Sequence, residues 1–399
     1  MLETGSCLAS NDGQSATMNP FTWAQAAHMI YLDESVDVGF SYADDGYSPG
    51  NHTDDLGGTA RDIISALQLL YLAFPHILGR KLHLAGQSFA GRSLPAIAES
   101  IIEHNTKSDA AALIPLESII VGNGVIHSPS QLPAIRDTVC AASNGLPALF
   151  SRADCDSRLA SLSSDCAASQ QACLDGRDPE GPMCSTAALT CENGILSAAL
   201  YGRHDSTNRS PRCFHDDEYT RADDCGISRV LALHSFISAY GGDELLIGRQ
   251  AARQHVYKGV VTPPSVPLLR ETGSGIKDIQ RLLHQNVSTL LYYGAYDILA
   301  APAFAERALD VSLDGHVGEE WRASIPRDAA ELGLGFKGSV KSASSSSGKG
   351  IIWFVQVDNV GRLVPSQSPN GALRLAQTWL HQFGAAVESE SHKIIENEL

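Results

Sequence analysis

Five short apolar runs stand out along the chain: His28 to Asp33 (HMIYLD), Leu82 to Ala85 (LHLA), Ile119 to Gly122 (IIVG), Thr289 to Tyr293 (TLLYY) and Ile351 to Val357 (IIWFVQV). Continuous runs of this length suit strands of a parallel sheet covered on both faces. Between the first two, Ile63, Ala66, Leu67, Leu70 and Phe74 recur at helical spacing. Thr59 with Asp62 resembles a capping box for that helix, and Pro75 marks its end. A second helix is expected after Ser88 and a third from about Gly371 to Phe383, before Gly384. Strands alternating with helices predict an α/β, doubly wound, mostly parallel sheet.

Two stretches break this rhythm. Residues 128–266 are rich in Ser, Asp, Gly and Cys and begin without sheet-like runs. They read as an insertion over the carboxyl ends of the strands, where such sheets place their sites. Ser339 to Gly350 (SVKSASSSSGKG) reads as a flexible surface loop by composition. The expected organisation is therefore a core of residues 1–127 and 267–386, a cysteine-rich cap of residues 128–266, and a polar tail of residues 387–399.

Composition narrows the class. With 399 residues, 43% of them hydrophobic and 19% charged, the chain has material for a substantial core. A formal charge of −16 argues against nucleic acid and anionic membranes as partners. No run approaches the roughly 18 apolar residues of a membrane span, and the start shows no signal peptide. Nine cysteines, eight of them between Cys140 and Cys225, point instead to an oxidising compartment. Sequons at Asn51, Asn208 and Asn286 point the same way and make these candidate glycosylation sites. Eight cysteines allow on the order of a hundred pairings, so connectivity stays open, with Cys7 the odd one. No C-x-x-C pair occurs, so disulfides are expected rather than zinc.

Candidate chemistry concentrates in Leu82 to Pro95, LHLAGQSFAGRSLP. A strand runs into Gly86-Gln87-Ser88-Phe89-Ala90-Gly91 and a helical pattern follows, the context of a nucleophile elbow. Small residues at Gly86 and Ala90 permit the strained turn that exposes Ser88 Oγ. The amide of Phe89, at the helix start, is a candidate oxyanion donor. A triad of this class runs nucleophile, acid, histidine, and Asp297, after the strand TLLYY, is placed as the acid. The next strand end reads Val357-Asp358-Asn359-Val360-Gly361-Arg362-Leu363-Val364-Pro365, with no histidine. After Asp297 the histidines are His316, in a turn-like Asp314-Gly315-His316, His381 on the final helix, and His392 in the tail.

Taken together, these segments resemble the serine carboxypeptidases, particularly their secreted fungal branch, over nearly the whole chain. Leu2 to Cys7 resembles the family's "E-N-G-P-C", and Asn19 to Trp23 its "N-P-x-S-W". Tyr31 to Tyr42 resembles "I-D-Q-P-V-G-x-G-F-S-Y", and the elbow resembles "G-E-S-Y-A-G-H-Y-V-P". Gly122-Asn123-Gly124 matches "G-N-G", and Gly361 to Pro365 resembles "G-H-M-V-P". The resemblance implies an α/β-hydrolase fold and a secreted or vacuolar location. It also implies a peptide or acyl substrate, no cofactor, and release of C-terminal residues through Ser88 and Asp297.

Four departures accompany it. The family histidine falls on Arg362. The family's "W-x-N-G-G-P-G", source of the other oxyanion donor, lies upstream of the match at Glu3, which implies that N-terminal sequence is missing. Glu3 and Gln87 stand where the family binds the substrate's terminal carboxylate, but Gln87 replaces a glutamate. The "P-V-G" stretch reads Ser35-Val36-Asp37. Arginine stays protonated and cannot accept the nucleophile's proton. Two readings follow: a carboxypeptidase-type hydrolase or acyltransferase, or a catalytically impaired homologue that acts as a binding protein or is a non-functional product; an Arg362 salt bridge to Asp297 would hold the site closed. Oligomeric state does not follow from the sequence.

Overall fold

The computed structural model describes residues 3–9, 15–33, 41, 56–109, 112–141, 148–175, 182–196, 198–199 and 274–383. A small antiparallel ribbon, β1 (Cys7–Ala9) with β2 (Ala16–Met18), precedes α1 (Leu56–Ala73), β3 (Leu82–Gln87), α2 (Ala90–Lys107) and β4 (Leu116–Gly122). Helices α3 (Ser128–Gln131), α4 (Ile135–Cys140), α5 (Arg152–Asp156), α6 (Arg158–Asp175) and α7 (Pro182–Cys191) follow. The chain then continues through α8 (Ile276–His284), β5 (Ser288–Gly294), α9 (Pro302–Ser312), α10 (Gly315–Ala323) and β6 (Arg327–Asp328). It closes with β7 (Gly338–Ser344), β8 (Ile351–Val357), α11 (Val364–Gln367) and α12 (Pro369–His381).

The main sheet has the order β3-β4-β5-β8-β7-β6. β3, β4, β5 and β8 are mutually parallel, while β7 and β6 extend one edge antiparallel. Because successive strand residues face opposite sides, the apolar runs divide cleanly. Ile119, Val121, Leu291, Tyr293, Ile352 and Phe354 pack with α2, α8, α9 and α10. Ile120, Leu290, Tyr292, Val355 and Val357 pack with α12 and Trp23 on the other face. Burial on both faces is why these strands read as unbroken apolar runs, and it gives the α/β sheet expected from them.

Three expectations fail. The run His28 to Asp33 is irregular chain, with Ile30, Tyr31 and Leu32 each about half exposed. Only its Met29 packs against the core, because the sheet interior is already filled by β4, β5 and β8. Ser339 to Ser344 belongs to strand β7 rather than to a loop: Val340 and Ala343 turn inward and pair along β8. Buried Lys341 lies on the same strand, 3.1 Å from Glu306 and 3.2 Å from Asp310, with its ammonium 4.5 Å above the Trp321 ring. Only the tip, Ser346 to Lys349, is exposed. Finally, α1 begins at Leu56, so Thr59 is a buried first-turn residue and not a cap.

Disulfides join Cys140 to Cys155, Cys166 to Cys191 and Cys173 to Cys184, tying α4 to α5 and α6 to α7. Cys213 and Cys225, like the tail, lie outside the described residues; Cys7 forms no disulfide among them. Leu132, Ile135, Val139 and Leu159 of the helical segment form a core with Ile298 and Leu299, just beyond β5. Among the described residues no helix is long and apolar enough to cross a membrane.

Candidate active site

The site lies where β3, β4, β5 and β8 end. Ser88, immediately after β3, has φ +60°, a left-handed backbone uncommon for a residue with a side chain. Its amide donates to the Gly122 carbonyl at 3.0 Å. Its own carbonyl accepts from Gly91 at 2.9 Å and Val125 at 3.1 Å. The turn is tight enough that a Cβ on Gly86 would lie 2.6 Å from Ala90 Cβ, and one on Gly91 2.8 Å from the Val125 backbone. The small residues of the elbow are thus a steric requirement, and the strain at Ser88 is held by its neighbours. Phe89 follows as the N-terminal cap of α2.

Asp297, fully buried, sits in the turn after β5. Its Oδ1 accepts from the Leu299 amide at 2.8 Å, and its Oδ2 accepts from Asn123 Nδ2 at 2.8 Å. Asn123 itself is fully buried with φ +46°, just past the end of β4. Sequence reasoning placed it in a family match without giving it a role; an Asn flanked by two glycines at a strand end was the available signal. Next to it, the Tyr293 hydroxyl donates to the Gly124 carbonyl at 3.0 Å. Burial, and secondarily the charge of Asp297, push that phenol's pKa up, so it remains a neutral donor.

Arg362 is delivered by the loop after β8, which lies flat against the turn bearing Asp297. The Tyr296 amide donates to the Val360 carbonyl at 2.9 Å, and the Tyr296 hydroxyl to Asn359 Oδ1 at 2.7 Å. A side chain on Gly294 would collide with the Gly361 carbonyl oxygen, so only glycine permits this approach. Arg362 is 3% exposed. Its Nη1 lies 3.6 Å from Asp297 Oδ2, and its Nη2 donates to Ser88 Oγ. The guanidinium therefore fills the space between carboxylate and hydroxyl. In chemical terms it offsets the charge of the carboxylate and donates to the hydroxyl, and it can only donate.

Gln87 Nε2 donates to the Arg362 carbonyl at 2.9 Å, tying the elbow to this loop. The backbone of Glu3 is held by Asn19 at 2.9 Å, and its charge helps raise the pKa of buried Tyr292, burial being the larger cause. His316 is not in a turn but on α10, about half exposed and 3.8 Å from Glu320. His381 is exposed at the end of α12, and His392 lies outside the described residues. Of the sequon asparagines, Asn286 is exposed and accepts from Ser347 Oγ at 2.7 Å. Asn51 and Asn208 lie outside the described residues.

A family model described as serine carboxypeptidase matches residues 1–382. The chain is similar to carboxypeptidase Y homolog A of Talaromyces marneffei, 26% identical over 371 residues that cover 91% of this chain and 60% of that protein. It is similar also to the protein of that name from Ajellomyces dermatitidis, 27% identical over 399 residues covering 95% and 64%. The chain thus spans less than two thirds of the length of these curated relatives. Among solved structures, Kex1, a prohormone-processing carboxypeptidase from Saccharomyces cerevisiae, matches with a TM-score of 0.68 at 17% identity. That match covers 96% of this chain and 79% of the other, and it shows the fold.

Proposed function

We propose, for a chain that belongs to the serine carboxypeptidase family, that its site accepts peptide C-termini or related acyl groups at Ser88 but hydrolyses amide bonds very poorly. The family framework assigns Ser88 as nucleophile, Asp297 as the orienting acid and the Phe89 amide as an oxyanion donor. Glu3 and Gln87 are the candidate contacts for a terminal carboxylate. The observation that carries the reading is Arg362, whose guanidinium bridges Asp297 and Ser88 Oγ.

Amide hydrolysis makes two demands on the group in that place. It must take the proton of Ser88 Oγ as the carbonyl is attacked, and it must then return a proton to the departing amine. A permanently protonated guanidinium does neither. Loss of the base in a serine triad costs on the order of 10⁶-fold in kcat, from the subtilisin case.

Three disulfides support an oxidising, secretory-type compartment, with glycans on the sequon asparagines in keeping with it. The packing of Ile298 and Leu299 with Leu132, α4 and α6 supports reading residues 128–266 as an insertion over the strand ends; of these, residues 142–147, 176–181, 197 and 200–266 lie outside the described set.

The test is hydrolysis of N-blocked dipeptides by the purified chain and its Arg362→His variant. The wild type is expected to be inert and the variant to gain measurable release of the C-terminal residue. Efficient turnover by the wild type would sink the reading. A second reading, an active hydrolase, draws on the retained strain at Ser88, and the same assay separates the two.

A further inference from the structure

We infer that Ser88, partnered by Arg362, reacts only with activated acyl donors, aryl esters and thioesters whose leaving group departs as a stable anion, and is left as a persistent acyl-enzyme. The inference rests on the role given to Arg362 above and names the substrate class that role permits. A guanidinium cannot relay protons, but a fixed cation hydrogen-bonded to Oγ lowers the energy of negative charge on that oxygen. Arg362 is well held for this. Nη1 faces Asp297, which is itself fixed by Asn123 and the Leu299 amide, and the Arg362 carbonyl accepts from Gln87. Ser88 is half-buried, neither sealed from solvent nor free to rotate away.

The chemistry balances without a protein base. Solvent hydroxide removes the Oγ proton, giving water and an alkoxide beside the guanidinium. The alkoxide attacks the acyl carbon, the Phe89 amide facing the developing oxyanion. The Oγ–C bond forms and the bond to the leaving group breaks, its electron pair departing on aryloxide or thiolate. An amide would have to expel its nitrogen as a strongly basic anion, and the Arg362–Asp297 pair supplies no proton to prevent that. Hydroxide attack on the Ser88 ester must expel a basic alkoxide in place of a stable aryloxide or thiolate, so deacylation is slower than acylation and the ester on Ser88 accumulates.

The experiment presents the full chain with one N-blocked acyl group carried on nitrophenolate, on a thiol and on an amine. Released leaving group and intact mass are followed. Expected is about one equivalent of nitrophenolate or thiolate per protein, with the acyl mass on Ser88, absent in Ser88→Ala, and no reaction of the amide. The acylation rate should rise about tenfold per pH unit from pH 7 to 9 without the plateau a histidine base gives. Arg362→Ala should slow acylation by about 10²- to 10³-fold, and Arg362→Lys, which keeps the charge, by less. If Arg362→Ala does not fold, the wild-type pH profile and the lysine variant still decide. Absence of acylation by the nitrophenyl ester in folded protein overturns the inference alone, as does a rate unchanged in Arg362→Ala. Turnover of the amide overturns the reading beneath it.

Discussion

The turn after β3 and the loop after β8 end parallel strands at the same end of the sheet, and each delivers one side chain to the same small space. They are constrained differently. The turn depends on the identity of nearly every residue: Gly86, Ala90 and Gly91 leave no room for more, and Ser88 itself is held in a left-handed backbone. The loop is held by the main chain, through Val360, Gly361 and the Gly361 amide donating to Gln367 Oε1 at 2.5 Å. None of those contacts involves the side chain at position 362. A proton acceptor there can thus be exchanged for a fixed cation while the scaffold keeps its course, whereas Gly86 and Gly91 in the elbow admit no side chain.

Four perturbations break or sharpen this contrast, the largest first. Asp297→Ala leaves Arg362 buried without its counter-ion and should cost about 3–5 kcal/mol in urea unfolding. Adding Arg362→Met should recover much of that loss, and no recovery would mean the pair is not the source. The second concerns His83 on β3, whose Nδ1 lies 2.7 Å from Ser118 Oγ; that hydroxyl also accepts from Trp379 of α12 at 3.0 Å. This chain of contacts links the strand that ends in the elbow to the helix that follows the Arg362 loop. Burial first, then the charge of Lys81, lowers the pKa of His83 from 6.5 to about 4. Between those values the unfolded chain binds the extra proton, so stability is full above pH 6.5, falls as pH drops toward 4, and then levels. The loss is at most about 3 kcal/mol, trimmed by solvent access, and His83→Phe should flatten the curve. Third, Gly294→Ala pushes the loop away from the Asp297 turn and should cost about 1–3 kcal/mol. Last, Ser88→Gly relieves the left-handed backbone by about 1 kcal/mol but removes the acceptor of buried Arg362 Nη2, a cost of about 1–3 kcal/mol, so the net change should be small and no more than slightly destabilising.

How much of this was legible beforehand depends on what kind of interaction decides each feature. Strands β4, β5 and β8 were readable because burial forces unbroken apolar runs, and partly buried β3 because it leads into an elbow whose residues sterics restrict. His28 to Asp33 has the same apolar signature and no strand, since a run of hydrophobic residues does not encode a pairing partner. β7 was hidden by its serines: its inward positions are Val340, Lys341 and Ala343, and the lysine is buried only because Glu306, Asp310 and Trp321 arrive from distant helices. The ion pair between Arg362 and Asp297 was anticipated as one of two readings, from charge and a shared strand end. The support of Asp297 by Asn123 was not, because a contact across 174 residues leaves no local trace.

The disulfide-tied helices have a mechanical consequence for the carboxylate beneath them. The crosslinks splint α4 to α5 and α6 to α7, and the stiffened block presses Leu132, Ile135 and Leu159 onto Ile298 and Leu299. The Leu299 amide in turn grips Asp297 Oδ1. The crosslinks thus stiffen the block on which the Asp297 turn rests, and the aim of the Asp297 carboxylate depends on packing contributed from outside the sheet.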